Sequence, residues 1–99
     1  MEVKVETVTT GELEKAINTF IKLSNDNGVA GEMAMGQQTA QQTLAVILEG
    51  ARDKQGLELV GCLQAIAQQV IEDLTPPLTS YQEGIVEVWQ YVDSLLTDA

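Results

Sequence analysis

Apolar residues recur at helical spacing through the second half of the chain. Leu59, Leu63, Ile66, Val70, Leu74, Leu78, Tyr81, Ile85, Val88, Val92 and Leu95 follow at steps of 4, 3, 4, 4, 4, 3, 4, 3, 4 and 3. Residues three and four apart share one side of an α-helix, so this spacing predicts helix with a heptad character over about forty residues. The first half has a similar rhythm. Leu13, Ala16, Ile17, Phe20 and Ile21 make one face, and Met33, Ala40, Leu44, Ile47, Leu48 and Ala51 make another. A helix cannot bury such a stripe against itself, so each half needs a helical neighbour.

Punctuation between these runs gives the layout. Glu49-Gly50-Ala51-Arg52-Asp53-Lys54-Gln55-Gly56 combines two glycines with a charge cluster near the midpoint, a strong turn signal. The predicted fold is all-α, a single domain built as an antiparallel helical hairpin. An extended arm covers 1–9, where Val3, Val5 and Val8 alternate with polar residues. A first helical arm covers 10–51, a turn 52–56 has Gln55 and Gly56 at its tip, and a second helical arm covers 57–97. Thr9, three residues before Glu12, fits a capping box at the first helix start. Ser24-Asn25-Asp26-Asn27-Gly28 either ends helix one or is a weak turn within it. The small, polar stretch from Gly36 to Thr43 reads as exposed or wet helix. Pro76-Pro77 predicts a kink between two nearly collinear pieces, with Thr75 capping the second and Pro76 at its first position. The alternative is a true reversal that makes a compact bundle of four short helices. Gly61 is expected to let a facing helix approach closely.

The apolar stripe is wider than one antiparallel neighbour needs. Ile85, Val86, Val88, Trp89 and Val92 wrap much of the last helix, and Phe20, Ile21 and Leu23 do the same in the first. Large apolar surfaces on a small chain mark association sites. The candidate partner interface is Phe20, Ile21, Leu44, Ile47, Leu63, Ile66, Val70, Ile85, Val88 and Val92. Covering it with a second hairpin, in a homodimer or a heterodimer, gives a four-helix bundle.

Composition narrows the chemistry. Fifteen acids against five bases give a formal net charge of −10. That disfavours a nucleic-acid backbone or an anionic membrane, both of which are bound through Lys and Arg. The chain has no histidine and one cysteine, Cys62, so no intramolecular disulfide forms and the commonest general base and metal ligand are missing. Cys62 reads as a small buried residue. The glycines match no phosphate-loop spacing, and acids such as Asp53, Glu72 and Asp73 have no distinguishing arrangement. The expectation is a protein without catalytic residues, cofactor or metal. The N-terminal residues lack the apolar segment of a cleavable signal, and the longest apolar run, Leu44 to Leu48, is too short to span a bilayer.

In length and layout the chain resembles the small WXG-type (ESX) helical hairpins of type VII secretion. The likeness is most specific from Gln38 to Gln82, including Leu48-Glu49-Gly50 and Glu72-Asp73-Leu74-Thr75-Pro76-Pro77-Leu78. Where that family carries Trp-x-Gly at the turn, this chain has Lys54-Gln55-Gly56: the glycine matches and the tryptophan does not. The family's aromatic-x-x-x-acid export motif falls by spacing on Trp89 and Asp93, with tryptophan in place of the usual tyrosine or phenylalanine. On a helix the two would share a face. The alternative reading is that Trp89 extends the apolar stripe beside Val88.

The resemblance implies a partner, chaperone or co-secreted substrate, cytoplasmic before export and leaving without a cleavable signal peptide. Its partners would be another helical hairpin, such as the helical N-terminal domain of a secreted toxin, and the secretion machinery. The departures fit variant members that accompany larger toxins. A different class of function is also open: an acidic, phage-type inhibitor that occupies a basic surface of a host nucleic-acid enzyme, motivated by the charge of −10.

Overall fold

A computed structural model describes residues 6–97, and the described residues are all-helical: α1 (Thr10–Asp26), α2 (Gly31–Gly50), α3 (Gly56–Asp73) and α4 (Ser80–Thr97). Val3 and Val5 of the expected extended arm lie outside the described residues.

Local chemistry explains each boundary. The Thr9 hydroxyl accepts from the Glu12 backbone N–H at 3.2 Å and caps α1, as the Thr9/Glu12 spacing predicts. At the far end Asn27 and Gly28 stop the helix. The Asn27 amide donates to the Leu23 carbonyl at 2.7 Å, and Gly28 takes φ +100, a conformation that suits glycine. The run from Ser24 to Gly28 therefore ends helix one. α4 is opened by a reciprocal box: the Gln82 N–H donates to Thr79 Oγ1 at 3.1 Å, and the Thr79 N–H donates to Gln82 Oε1 at 3.0 Å. The cap is Thr79, and not Thr75 as the sequence reading has it.

The expected collinear second arm is not what forms. About forty residues of straight or gently kinked helix would reach roughly 60 Å. The longest extent of the molecule is 35 Å. α3 packs on α4, so the chain reverses across Leu74–Thr79. α1 likewise packs on α2. Each expected arm is thus two helices folded on each other. α2 and α4 form the most extensive helix pair, whereas α2 and α3 share little contact despite the short turn between them.

One buried cluster draws on all four helices. It includes Leu13, Ile17 and Ile21 from α1, Ala40, Leu44 and Leu48 from α2, Leu59, Leu63 and Ala67 from α3, and Val88, Trp89, Val92 and Leu96 from α4. Val8, ahead of α1, is also fully buried, and its carbonyl accepts from the Gly56 N–H at 2.8 Å. That bond ties the entry segment to the first turn of α3.

Candidate interaction surface

The α2–α4 crossing organises the molecule. A Cβ placed on Gly36 would lie 2.0 Å from the Tyr81 carbonyl oxygen, and one on Gly84 would lie 2.1 Å from that of Met33. The two backbones therefore meet at a reciprocal glycine contact. Thr39 Oγ1 and the Tyr81 hydroxyl share a hydrogen bond of 2.6 Å beside it. Gln37 is fully buried next to Gly36. Its Nε2 donates to Glu87 Oε2 at 3.4 Å, and its Oε1 has no hydrogen-bond partner. The stretch expected to be wet is thus divided: Gly36, Gln37 and Ala40 are buried, and Gln38, Gln42 and Thr43 are exposed. Gly61, expected at a close approach, is exposed with nothing near its missing side chain.

The export-motif residues differ in environment. Trp89 is 1% exposed and belongs to the core, so its ring is not displayed. Asp93, one turn on, is half-buried. Of the two readings open for Trp89, burial agrees with the stripe extension. At the turn, Gln55 is exposed and precedes α3 in extended conformation, while Gly56 is buried with φ +61. Cys62 is half-buried, less covered than the sequence reading has it.

The expected partner interface is largely used inside the chain. Ile21, Leu44, Leu63, Val88 and Val92 are buried in the core. Phe20, Ile47, Ile66, Val70 and Ile85 are partly buried and packed against it. Phe20 also stacks on Tyr91 with ring centroids 4.2 Å apart. Burial raises the Tyr91 hydroxyl pKa above its ordinary 10.0.

The large apolar side chains that stay exposed are others: Leu23, Met35, Val46 and Leu57. Met35 and Val46 lie eleven residues apart on α2, three helical turns, and so point the same way. Between them run Gln38, Gln42 and Ala45, also exposed. From Met33 to Leu48 this helix carries no charged residue. Glu49, at its end, pairs with Arg52 at 2.9 Å, and Lys54 pairs with Glu58 at 3.2 Å. The Glu58 hydrogen bond and charge raise the Lys54 pKa. Both pairs are solvent-exposed and add little stability. An uncharged helix face of over 20 Å on a chain of net charge −10 is the surface feature that sequence reasoning missed.

Among the described residues, no group of three or more His, Cys, Asp or Glu side chains is placed to hold a metal, and no helix is long and apolar enough to cross a membrane. No protein-family model, curated protein or solved structure matches the chain.

Proposed function

We propose that this is a non-enzymatic helical protein that acts by docking on another helical protein. The observation that carries the reading is the outward face of α2, where Met35 and Val46 are exposed on a side without charge. Charged residues are depleted from the centres of protein interfaces, and methionine is enriched there. Such a face suits a helix laid along it.

The more specific form of the proposal is a partner, chaperone or co-secreted substrate of a type VII system. It is supported by chain length, by the glycine at position 56 and by the spacing of Trp89 and Asp93. With Trp89 in the core, the motif would act through Asp93 and the fold that Trp89 supports, rather than through a displayed ring.

Affinity capture of the tagged full chain, with mass spectrometry and a Val46→Glu control, tests the docking reading. A stoichiometric helical partner lost in the control is expected. Absence of any Val46-dependent protein partner overturns it, and a basic nucleic-acid enzyme in its place favours the inhibitor reading. An export assay on Asp93→Asn and Trp89→Phe tests the type VII form. Export unchanged by Asp93→Asn removes the motif.

A further inference from the structure

We infer that Asn27-Gly28, at the joint between α1 and α2, is a site of spontaneous deamidation that the fold holds closed and whose products cannot re-form the helix end. The inference goes beyond the docking reading and stands without it.

The chemistry starts with the residue pair. Ring closure joins the backbone nitrogen of one residue to the side-chain Cγ of the asparagine before it. Gly28 carries no Cβ to crowd that attack, and nothing lies within 4 Å of where one would stand. Asn27 and Gly28 are both exposed and line an open groove with Glu32 and Ser80, so water has access. The chain's other asparagines, Asn18 and Asn25, are followed by Thr19 and Asp26 and lack this opening.

The Gly28 nitrogen gives up its proton to solvent and bonds to Asn27 Cγ. The Cγ–Nδ2 bond breaks, and that nitrogen takes up a proton and leaves as ammonia. Water then opens the cyclic imide at one of its two carbonyls. One opening leaves an aspartyl residue. The other leaves an isoaspartyl residue, whose backbone runs through the former side chain and is one methylene longer. Water is consumed, ammonia is released, and nothing is oxidised or reduced.

In the folded chain both reacting groups are engaged. Asn27 Nδ2 donates to the Leu23 carbonyl at 2.7 Å, and the Gly28 N–H donates to the Asn25 carbonyl at 3.2 Å. The Val29 N–H donates to the Ser24 carbonyl at 3.1 Å and completes a Schellman cap, with Gly28 at φ +100. The carboxamide must release Leu23, and the Gly28 N–H must release Asn25, before the ring closes. Reaction therefore runs through local opening of the α1 end.

The product acts on the same contacts. A carboxylate has no proton to give the Leu23 carbonyl. It adds negative charge at a helix C-terminus, beside Asp26, where the last turn has no basic residue. The isoaspartyl form also shifts the Gly28 and Val29 N–H groups away from their carbonyls. Each conversion is a one-way loosening of the α1–α2 joint.

Peptide mapping by mass spectrometry tests the inference on the full chain, incubated folded and in guanidinium chloride. Conversion to both forms at position 27 is expected, about tenfold slower in the folded chain, with Asn18 and Asn25 intact. Val29→Pro removes the N–H held by Ser24. It should speed the folded reaction about threefold or more, with helical circular dichroism unchanged. Asn27→Asp should raise the unfolding constant about two- to fivefold over Asn27→Ala, which loses the same bond without adding charge. Conversion as fast in the folded chain as in denaturant overturns the closed state. No conversion at position 27 in denaturant, or equal conversion at Asn25, overturns the site. Asn27→Asp as stable as Asn27→Ala overturns the loosening.

Discussion

Replacing Gly84 by alanine tests the α2–α4 crossing most directly. The added Cβ would stand 2.1 Å from the Met33 carbonyl oxygen and 3.0 Å from the Gln37 nitrogen. Both are backbone atoms, so no side chain can swing away. Restoring the 3.4 Å of ordinary contact requires the helices to part by more than 1 Å. The most extensive helix pair in the molecule would loosen with them. Overpacking of this kind costs up to about 3 kcal/mol. Alanine recovers about 1 kcal/mol through its better helix propensity. The net expected loss is about 2 kcal/mol, a fall in melting temperature of roughly 8–16 °C for a domain of this size. Gly61 supplies the control, since it is exposed, helical and free of neighbours. Gly61→Ala should gain up to about 1 kcal/mol by propensity alone. Urea unfolding, followed by Trp89 emission and by far-ultraviolet circular dichroism, reads both. Gly36→Ala with Gly84→Ala should cost less than the sum of the single changes, because the gap opened by one accommodates the other. A Gly84→Ala protein as stable as the parent would refute the close crossing.

Three further outcomes follow from the packing. Gln37→Met should raise stability by about 1 kcal/mol in the same urea assay, because it removes a buried Oε1 without a partner at the cost of a long bond to Glu87; a loss would mean that Oε1 is satisfied. Trp89→Ala should cost about 3–5 kcal/mol, much of the stability of a small domain, so any loss of export in that variant would report unfolding; Trp89→Phe should stay folded by circular dichroism. Tyr91 has its pKa raised by burial, so its contribution is intact below pH 10.0 and is lost as pH rises through the raised value. The loss of stability in alkaline titration should be shallower in Tyr91→Phe, which keeps the stack on Phe20; identical slopes would remove Tyr91 as the cause.

The helical class and the turn before Gly56 were legible because periodicity and glycine clusters are local signals. The reversal at Leu74–Thr79 was hidden by the same periodicity. An unbroken 3–4 rhythm says that each segment has a buried face, and it says nothing about whether consecutive segments are collinear. α3 and α4 both turn their stripes to one shared core, so the ladder keeps its phase through a chain reversal. The decisive local signal was present in Thr79-Ser80-Tyr81-Gln82, which has capping-box spacing and marks a fresh helix start. The Gly36–Gly84 contact could not be read from apolar spacing, since it depends on which two helices meet and each glycine alone looks like a weak point.

The residues expected at the partner interface contribute to the chain's own core for an energetic reason. A chain of 99 residues has a modest core, so that core claims the widest apolar stripe first. Leu44, Leu63, Val88 and Val92 are in that stripe, and all are buried within the chain. What the core leaves exposed on α2 is a narrower face whose apolar members are few and whose other members are merely uncharged. On α2 this is Met35, Gln38, Gln42, Ala45 and Val46, a set that hydrophobicity ranks low. It stands out only once the opposite side of the helix is known to be occupied.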